Sequence, residues 1–114
     1  VAAECPLADA DQWLEELLPY VHQDCVRIYL CKEDGDQVSS NYERWGSETW
    51  RRCPQPANTN WSWRPYFLEN IIMLKRHQKP YLSHEYADIT FSVPMRTISY
   101  SAGDNCYLFL DIQV

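Results

Sequence analysis

The sequence predicts an α+β domain: a five-stranded antiparallel sheet with helices packed on one face. Three observations predict it. Residues 25–31 alternate apolar and polar and run into a turn signal. Residues 95–100 and 106–112 do the same around a second turn. Two other stretches, 10–18 and 62–79, space their apolar residues along one side of a helix. Strands that follow one another through short turns pair antiparallel, and a few helices then cover one side of the sheet.

The first helix starts at Asp9, with Gln12 completing a capping-box pattern. Ala10, Trp13, Leu14, Leu17 and Leu18 form its apolar face, and Pro19 closes it. The first strand places Val26, Ile28 and Leu30 on one face and Arg27 and Tyr29 on the other. A turn at Glu33-Asp34-Gly35-Asp36 lets 37–42 run back as a hairpin partner. Residues 43–60 have no clean period, and their Trp45 and Trp50 need cover; a connection of this length is expected to be a binding loop or lid or to hold a short helix. Ser62 is the expected cap of the second helix, whose stripe is Phe67, Leu68, Ile71, Ile72 and Leu74 and whose end is Pro80. Strands over 81–90, 95–100 and 106–112 complete the sheet. In the last, Leu108, Leu110 and Ile112 share one face, and Tyr107, Phe109 and Asp111 the other.

A chain of 114 residues supports one domain, spanning 1–114. A net charge of -6 argues against nucleic acid as a partner, because phosphates need a basic patch; Lys75, Arg76, His77 and Lys79 read instead as a helix C-terminus. No apolar run is long enough to cross a bilayer. The count of five cysteines is odd, and Cys25 and Cys31 on one strand cannot meet. Unpaired thiols point to the cytoplasm, with a Cys5–Cys53 or Cys53–Cys106 bridge left open. The chain opens at Val1, as expected of a piece excised from a longer protein. No cofactor, metal or catalytic centre is expected: His22, Cys25 and Cys31 lack a fourth ligand, and no nucleophile elbow or phosphate loop is present.

The densest chemistry lies in 60–72. Trp61, Trp63, Arg64, Tyr66 and Phe67 bring large apolar area, π-faces and a permanent cation to the mouth of the second helix. An Arg there can hold a carboxylate through two parallel charge-assisted hydrogen bonds, and the helix dipole adds attraction for an anion. Asp88 could receive an ammonium, so Arg64 with Asp88 would suit a zwitterion. The same two residues could equally form a structural ion pair.

The run Arg64-Pro65-Tyr66-Phe67, then Leu82-Ser83-His84-Glu85-Tyr86-Ala87-Asp88, Arg96-Thr97-Ile98-Ser99-Tyr100 and Leu110-Asp111-Ile112, resembles the Cache branch of the PAS-like sensor domains. Within that branch it is most similar to the small signalling domain attached to EAL or GGDEF proteins, which break and make cyclic di-GMP. Unpaired cysteines and the brief first helix favour that subgroup. The resemblance implies a ligand pocket between sheet and loop-helix segment, carried by position to Arg64, Tyr66, Tyr86, Asp88, Thr97 and Ser99, with Trp61 and Trp63 as its apolar wall. It implies a non-catalytic bacterial sensory domain that binds an amino acid or carboxylate-like molecule, forms a homodimer and controls an attached output domain. Two other expectations remain open: a ligand-free dimerisation module, and a periplasmic sensor of a chemoreceptor or histidine kinase.

Overall fold

The computed structural model describes residues 9–46, 49–54, 59–64, 66–87 and 93–114. At its centre β1 (Cys25–Cys31) pairs antiparallel with β7 (Cys106–Gln113), and β7 with β6 (Pro94–Gly103). β2 (Asn41–Arg44) and β3 (Trp50–Cys53) extend the sheet beyond β1, while β4 (Tyr81–Leu82) and β5 (Tyr86–Ala87) share the outer edge of β6. The order is β3-β2-β1-β7-β6-β4, with β5 also on β6.

Among the described residues the sheet therefore has seven strands, where five were expected. The additional strands come from two places. Part of the 43–60 connection folds back as β3, pairing Tyr42 with Arg52 and Arg44 with Trp50. The expected 81–90 strand is interrupted, because Ser83 Oγ accepts the Thr97 N–H at 2.8 Å where a backbone carbonyl would continue the ladder. The β1–β2 hairpin breaks in the same way: Ser39 Oγ accepts the Leu30 N–H at 2.9 Å, so regular pairing resumes only at β2.

The two helices lie on opposite faces, which corrects the expectation of one helical face. Helix α1 (Ala10–Leu17) buries Ala10 and Leu14 against Ile28, Leu30, Cys106 and Leu108. Helix α2 (Phe67–His77) buries Phe67, Ile71 and Leu74 against Tyr29, Cys31, Tyr107 and Phe109. Neighbouring strand residues point to opposite sides, so both faces of β1 and β7 are apolar and each needs its own cover. A bulge at Val26 sets the parity. Cys25 pairs with Ile112 and Arg27 with Asp111, which leaves Val26 without a position in the ladder. Cys25, and not Val26, thus joins Ile28 on the α1 face, while Arg27 keeps the Tyr29 side that alternation gives it.

The helix starts differ from expectation. Asp9 occupies the cap position of α1 without a side-chain cap hydrogen bond. Its neighbour Asp11 accepts from Ser40 N–H at 2.7 Å, Ser40 Oγ at 2.8 Å and Arg52 at 3.0 Å, and Tyr42 Oη donates to Glu15 at 2.6 Å. Helix α1 is therefore fastened to β2 by polar contacts as well as packing. Ser62 does not cap α2; it donates to Asn60 Oδ1 in a local turn, and α2 begins at Phe67. Arginines lie over both connection tryptophans, Arg44 at 4.3 Å from Trp50 and Arg51 at 4.8 Å from Trp45, but Trp45 stays largely exposed and lacks the cover expected for it. Among the described residues Cys25, Cys31, Cys53 and Cys106 are thiols, so the Cys53–Cys106 bridge left open by the sequence does not form, and the Cys5–Cys53 expectation lies outside the described residues.

The turn after β1 holds the approach to α2. Trp61 donates its N–H to the Gly35 carbonyl at 2.8 Å, Gln37 its N–H to Thr59 at 2.8 Å, and Asn60 Nδ2 binds Asp34 and Asp36. Gly35 has φ +97°, and a Cβ there would stand 2.6 Å from the Ser62 nitrogen. Gly35→Ala is expected to cost about 1–3 kcal/mol, from left-handed strain plus a clash with backbone. Urea unfolding measures it; a midpoint unchanged from the parent would mean that the two loops separate freely.

Candidate ligand-binding site

Six of the eight sequence-predicted residues meet where the segment leading into α2 crosses the helix's face of the sheet. Two consecutive turns lead into the helix, with Arg64 N–H donating to Trp61 O at 3.0 Å and Phe67 N–H to Arg64 O at 3.1 Å. They fold the side chain of Arg64 inward, where it is 5% exposed. Its guanidinium carbon lies 5.0 Å from the ring centre of Trp61, 5.3 Å from Trp63, 5.8 Å from Tyr66 and 5.9 Å from Tyr86. Four aromatic faces thus surround one cation, each contributing quadrupole attraction in partial exchange for lost hydration.

The box is itself fixed. Trp61 donates its indole N–H to Gln37 Oε1 at 2.5 Å, and Trp63 donates to Asn60 O at 3.0 Å while its ring stays exposed. Tyr66 stacks on Tyr86 at 4.9 Å and shares a hydrogen bond with the Tyr29 hydroxyl. Phe109 stacks between Tyr29 at 5.5 Å and Phe67 at 5.1 Å, tying the helix start to the sheet.

Below the box lies a polar chain in which sequence reasoning assigns Tyr86, Thr97 and Ser99 to the site but not Arg27, Asp111 or Asn70. Tyr86 Oη and Thr97 Oγ1 are 2.6 Å apart, and Thr97 donates to Asp111 Oδ1 at 2.8 Å. The other carboxylate oxygen accepts from Arg27 Nε at 2.6 Å, forming a buried ion pair whose carboxylate is fully enclosed. Strand parity carries the only sequence signal for it: Arg27 shares a face with Tyr29, and Asp111 with Phe109. Asn70, fully buried on α2, donates to Thr97 O at 3.0 Å and Ser99 Oγ at 2.7 Å. Its place among Phe67, Ile71 and Leu74 was the available clue.

Arg64, Tyr66, Tyr86, Trp61, Trp63 and Thr97 are therefore brought together, the last through Tyr86. Ser99 is not in the box; it bonds to Asn70 beneath the helix. Asp88 lies outside the described residues. A concavity of about 530 Å³ opens on the opposite face of the sheet, against Leu18, Val21, Arg44 and Trp50, and none of the predicted site residues lines it.

Electrostatics keep the hydroxyls neutral and the cation charged. Burial, and then the Asp111 charge, push Tyr29 and Tyr66 well above the ordinary tyrosine range, and push Tyr86 in the same direction. Burial opposes the charge of Arg64, but Tyr66 and the neighbouring tyrosine hydroxyls outweigh it and the net shift is upward. The Cys25 thiol is pushed up to about 12, first by burial and then by Asp111, and it is not a nucleophile. What the cluster offers chemically is recognition: one held cation, aromatic faces and neutral hydroxyls.

An antiparallel sheet with a helix on each face, and a boxed arginine where the connecting segment enters α2, define a small α+β domain. The family described as EAL-domain associated signalling protein domain matches residues 3–114, and the chain belongs to it. The EAL-domain containing protein YkuI of Bacillus subtilis (strain 168) is 39% identical over 106 residues, which is 93% of this chain and 26% of that protein. The crystal structure of B. subtilis YkuI, with an EAL domain and in complex with substrate c-di-GMP and calcium, superposes with a TM-score of 0.85 at 38% identity. That match covers 96% of this chain and 27% of YkuI, so the chain spans about a quarter of the relative it resembles. Among the described residues no helix is long and apolar enough to cross a membrane.

Proposed function

We propose that this chain is the non-catalytic sensory part of a bacterial cyclic di-GMP signalling protein of the cytoplasm, a PAS-like module that regulates an attached EAL output domain. The observation that carries the reading is the Arg64 box, a charged guanidinium enclosed by four aromatic faces beside neutral hydroxyls. A small carboxylate or amino acid is the ligand class it suits, since guanidinium binds carboxylate in a planar two-bond fork. Membership of a family associated with EAL proteins, and a relative that carries an EAL domain, support the output.

Transmission would run through α1. A ligand that binds one arrangement of the box better than another shifts the population of the two. The box shares Tyr29 and Phe109 with the central strands, and the other face of those strands carries α1, clamped at Asp11 and Glu15. A second reading, a ligand-free dimerisation module, is favoured by one observation, the exposed apolar stripe on α2.

A thermal-shift screen of amino acids, small carboxylates, amines, purines and nucleotides tests the sensor reading beside Arg64→Ala. A ligand at about a hundred times its Kd adds roughly 2.7 kcal/mol, a shift of several degrees in a domain of this size. The expected result is a hit that disappears in Arg64→Ala. A hit of equal size in both proteins, or none among carboxylates, counts against this site.

A further inference from the structure

Helix α2 turns four apolar or polar anchors inward and leaves Leu68 and Ile72 outside, 64% and 46% exposed. They lie one turn apart on the same outer line, at the spacing used for helix pairing. Exposed charges border this stripe, Glu69 and Arg76 on one side and Lys75 on the other. Glu69 and Arg76 are seven residues apart, as are Leu68 and Lys75, so each couple occupies equivalent positions on the helix surface. When two identical helices pack antiparallel about a two-fold axis, equivalent positions on the two chains face each other. With the axis at Ile72, Glu69 of one copy stands opposite Arg76 of the other, and Leu68 lies under the aliphatic stem of Lys75. Opposite charges then meet twice along one flank of an apolar centre, once on each side of the axis. Tyr81 Oη donates to Glu69 Oε2 at 3.0 Å, steadying that carboxylate at the rim.

The geometry points to α2 as a self-complementary docking surface for a second copy of this chain, with the helices antiparallel and crossing at Ile72. An anionic membrane is the weaker occupant, because the domain carries a net charge of -6. A helix of 11 residues is only about 16 Å long, so the contact falls short of a standard interface and the pairing is weak in isolation. The inference deepens the second reading above, dimerisation, and is independent of the Arg64 ligand; a monomer that still binds a carboxylate would refute the pairing alone.

Sedimentation equilibrium over a wide concentration range tests it, using Glu69→Arg, Arg76→Glu and their equimolar mixture, with circular dichroism to confirm folding. Each variant alone sets like charges against each other and is expected to associate about tenfold more weakly than the parent. The mixture restores opposite charges at both 69–76 contacts and is expected to recover the parent's association. Ile72→Glu abolishes it. A monomeric parent, variants as associated as the parent, or a mixture no better than its components overturns the proposal. So does a monomer that sediments with phosphatidylglycerol vesicles in an Ile72-dependent way, which would assign the stripe to a membrane surface.

Discussion

Replacing Asp111 by Ala is expected to remove about 3–5 kcal/mol of stability, the range found when one partner of a buried ion pair is deleted. The carboxylate faces Arg27, which is 5% exposed, and it is also the acceptor for Thr97 and Tyr86. Its loss strips the carboxylate from a buried cation and the acceptor from two buried hydroxyls at once. Small domains have roughly 5–15 kcal/mol in all, so the variant should be marginally folded. Removing both charges is the informative control: Arg27→Met with Asp111→Leu leaves no stranded ion and should lose less than either single variant. Urea midpoints of the two singles and the double form a closed cycle. Singles costing under about 1 kcal/mol would show that Asp111 is not the anchor of the α2 face.

Phe109→Ala is expected to cost about 3–5 kcal/mol, as truncation of a fully enclosed aromatic usually does. The ring is stacked by Tyr29 and Phe67 and tilted against Tyr66 at 6.2 Å, so it joins the central strand, the helix start and the wall of the Arg64 box. Its removal should therefore uncouple stability and site together: any ligand-dependent thermal shift should shrink along with the melting temperature. Phe109→Leu, which keeps most of the volume, should lose appreciably less of both. A ligand shift that survives intact in Phe109→Ala would mean that the box is held by its own loop contacts and not by the sheet.

Much of this architecture is legible from local pattern. Alternation assigned Tyr107, Phe109 and Asp111 to one face of β7 and Leu108 and Leu110 to the other, and the structure keeps those faces. The α1 stripe of Ala10, Trp13, Leu14, Leu17 and Leu18 packs as its spacing requires. Most of the candidate site was legible too, because Trp61, Trp63, Arg64 and Tyr66 lie within one short stretch and a tight chain path forces them together. The buried ion pair beneath was not. Arg27 and Asp111 are separated by 84 positions, and nothing local in either segment says that the two will pair.

By itself the sequence determined the element types, the inward faces of the final strands, the glycine turn after β1 and the aromatic–arginine segment. Each of these follows from steric and hydrophobic preferences that act over a few neighbouring residues. Only the tertiary structure decided the rest: that the helices take opposite faces, that a bulge at Val26 puts Cys25 in its place on the α1 face, that β3 folds onto β2, and that Ser39 and Ser83 interrupt the ladders. Both faces of β1 and β7 are apolar, so one-sided cover would have left one of them in water. Which helix lies on which face is settled by contacts between segments far apart in the chain, where local periodicity has no information to give.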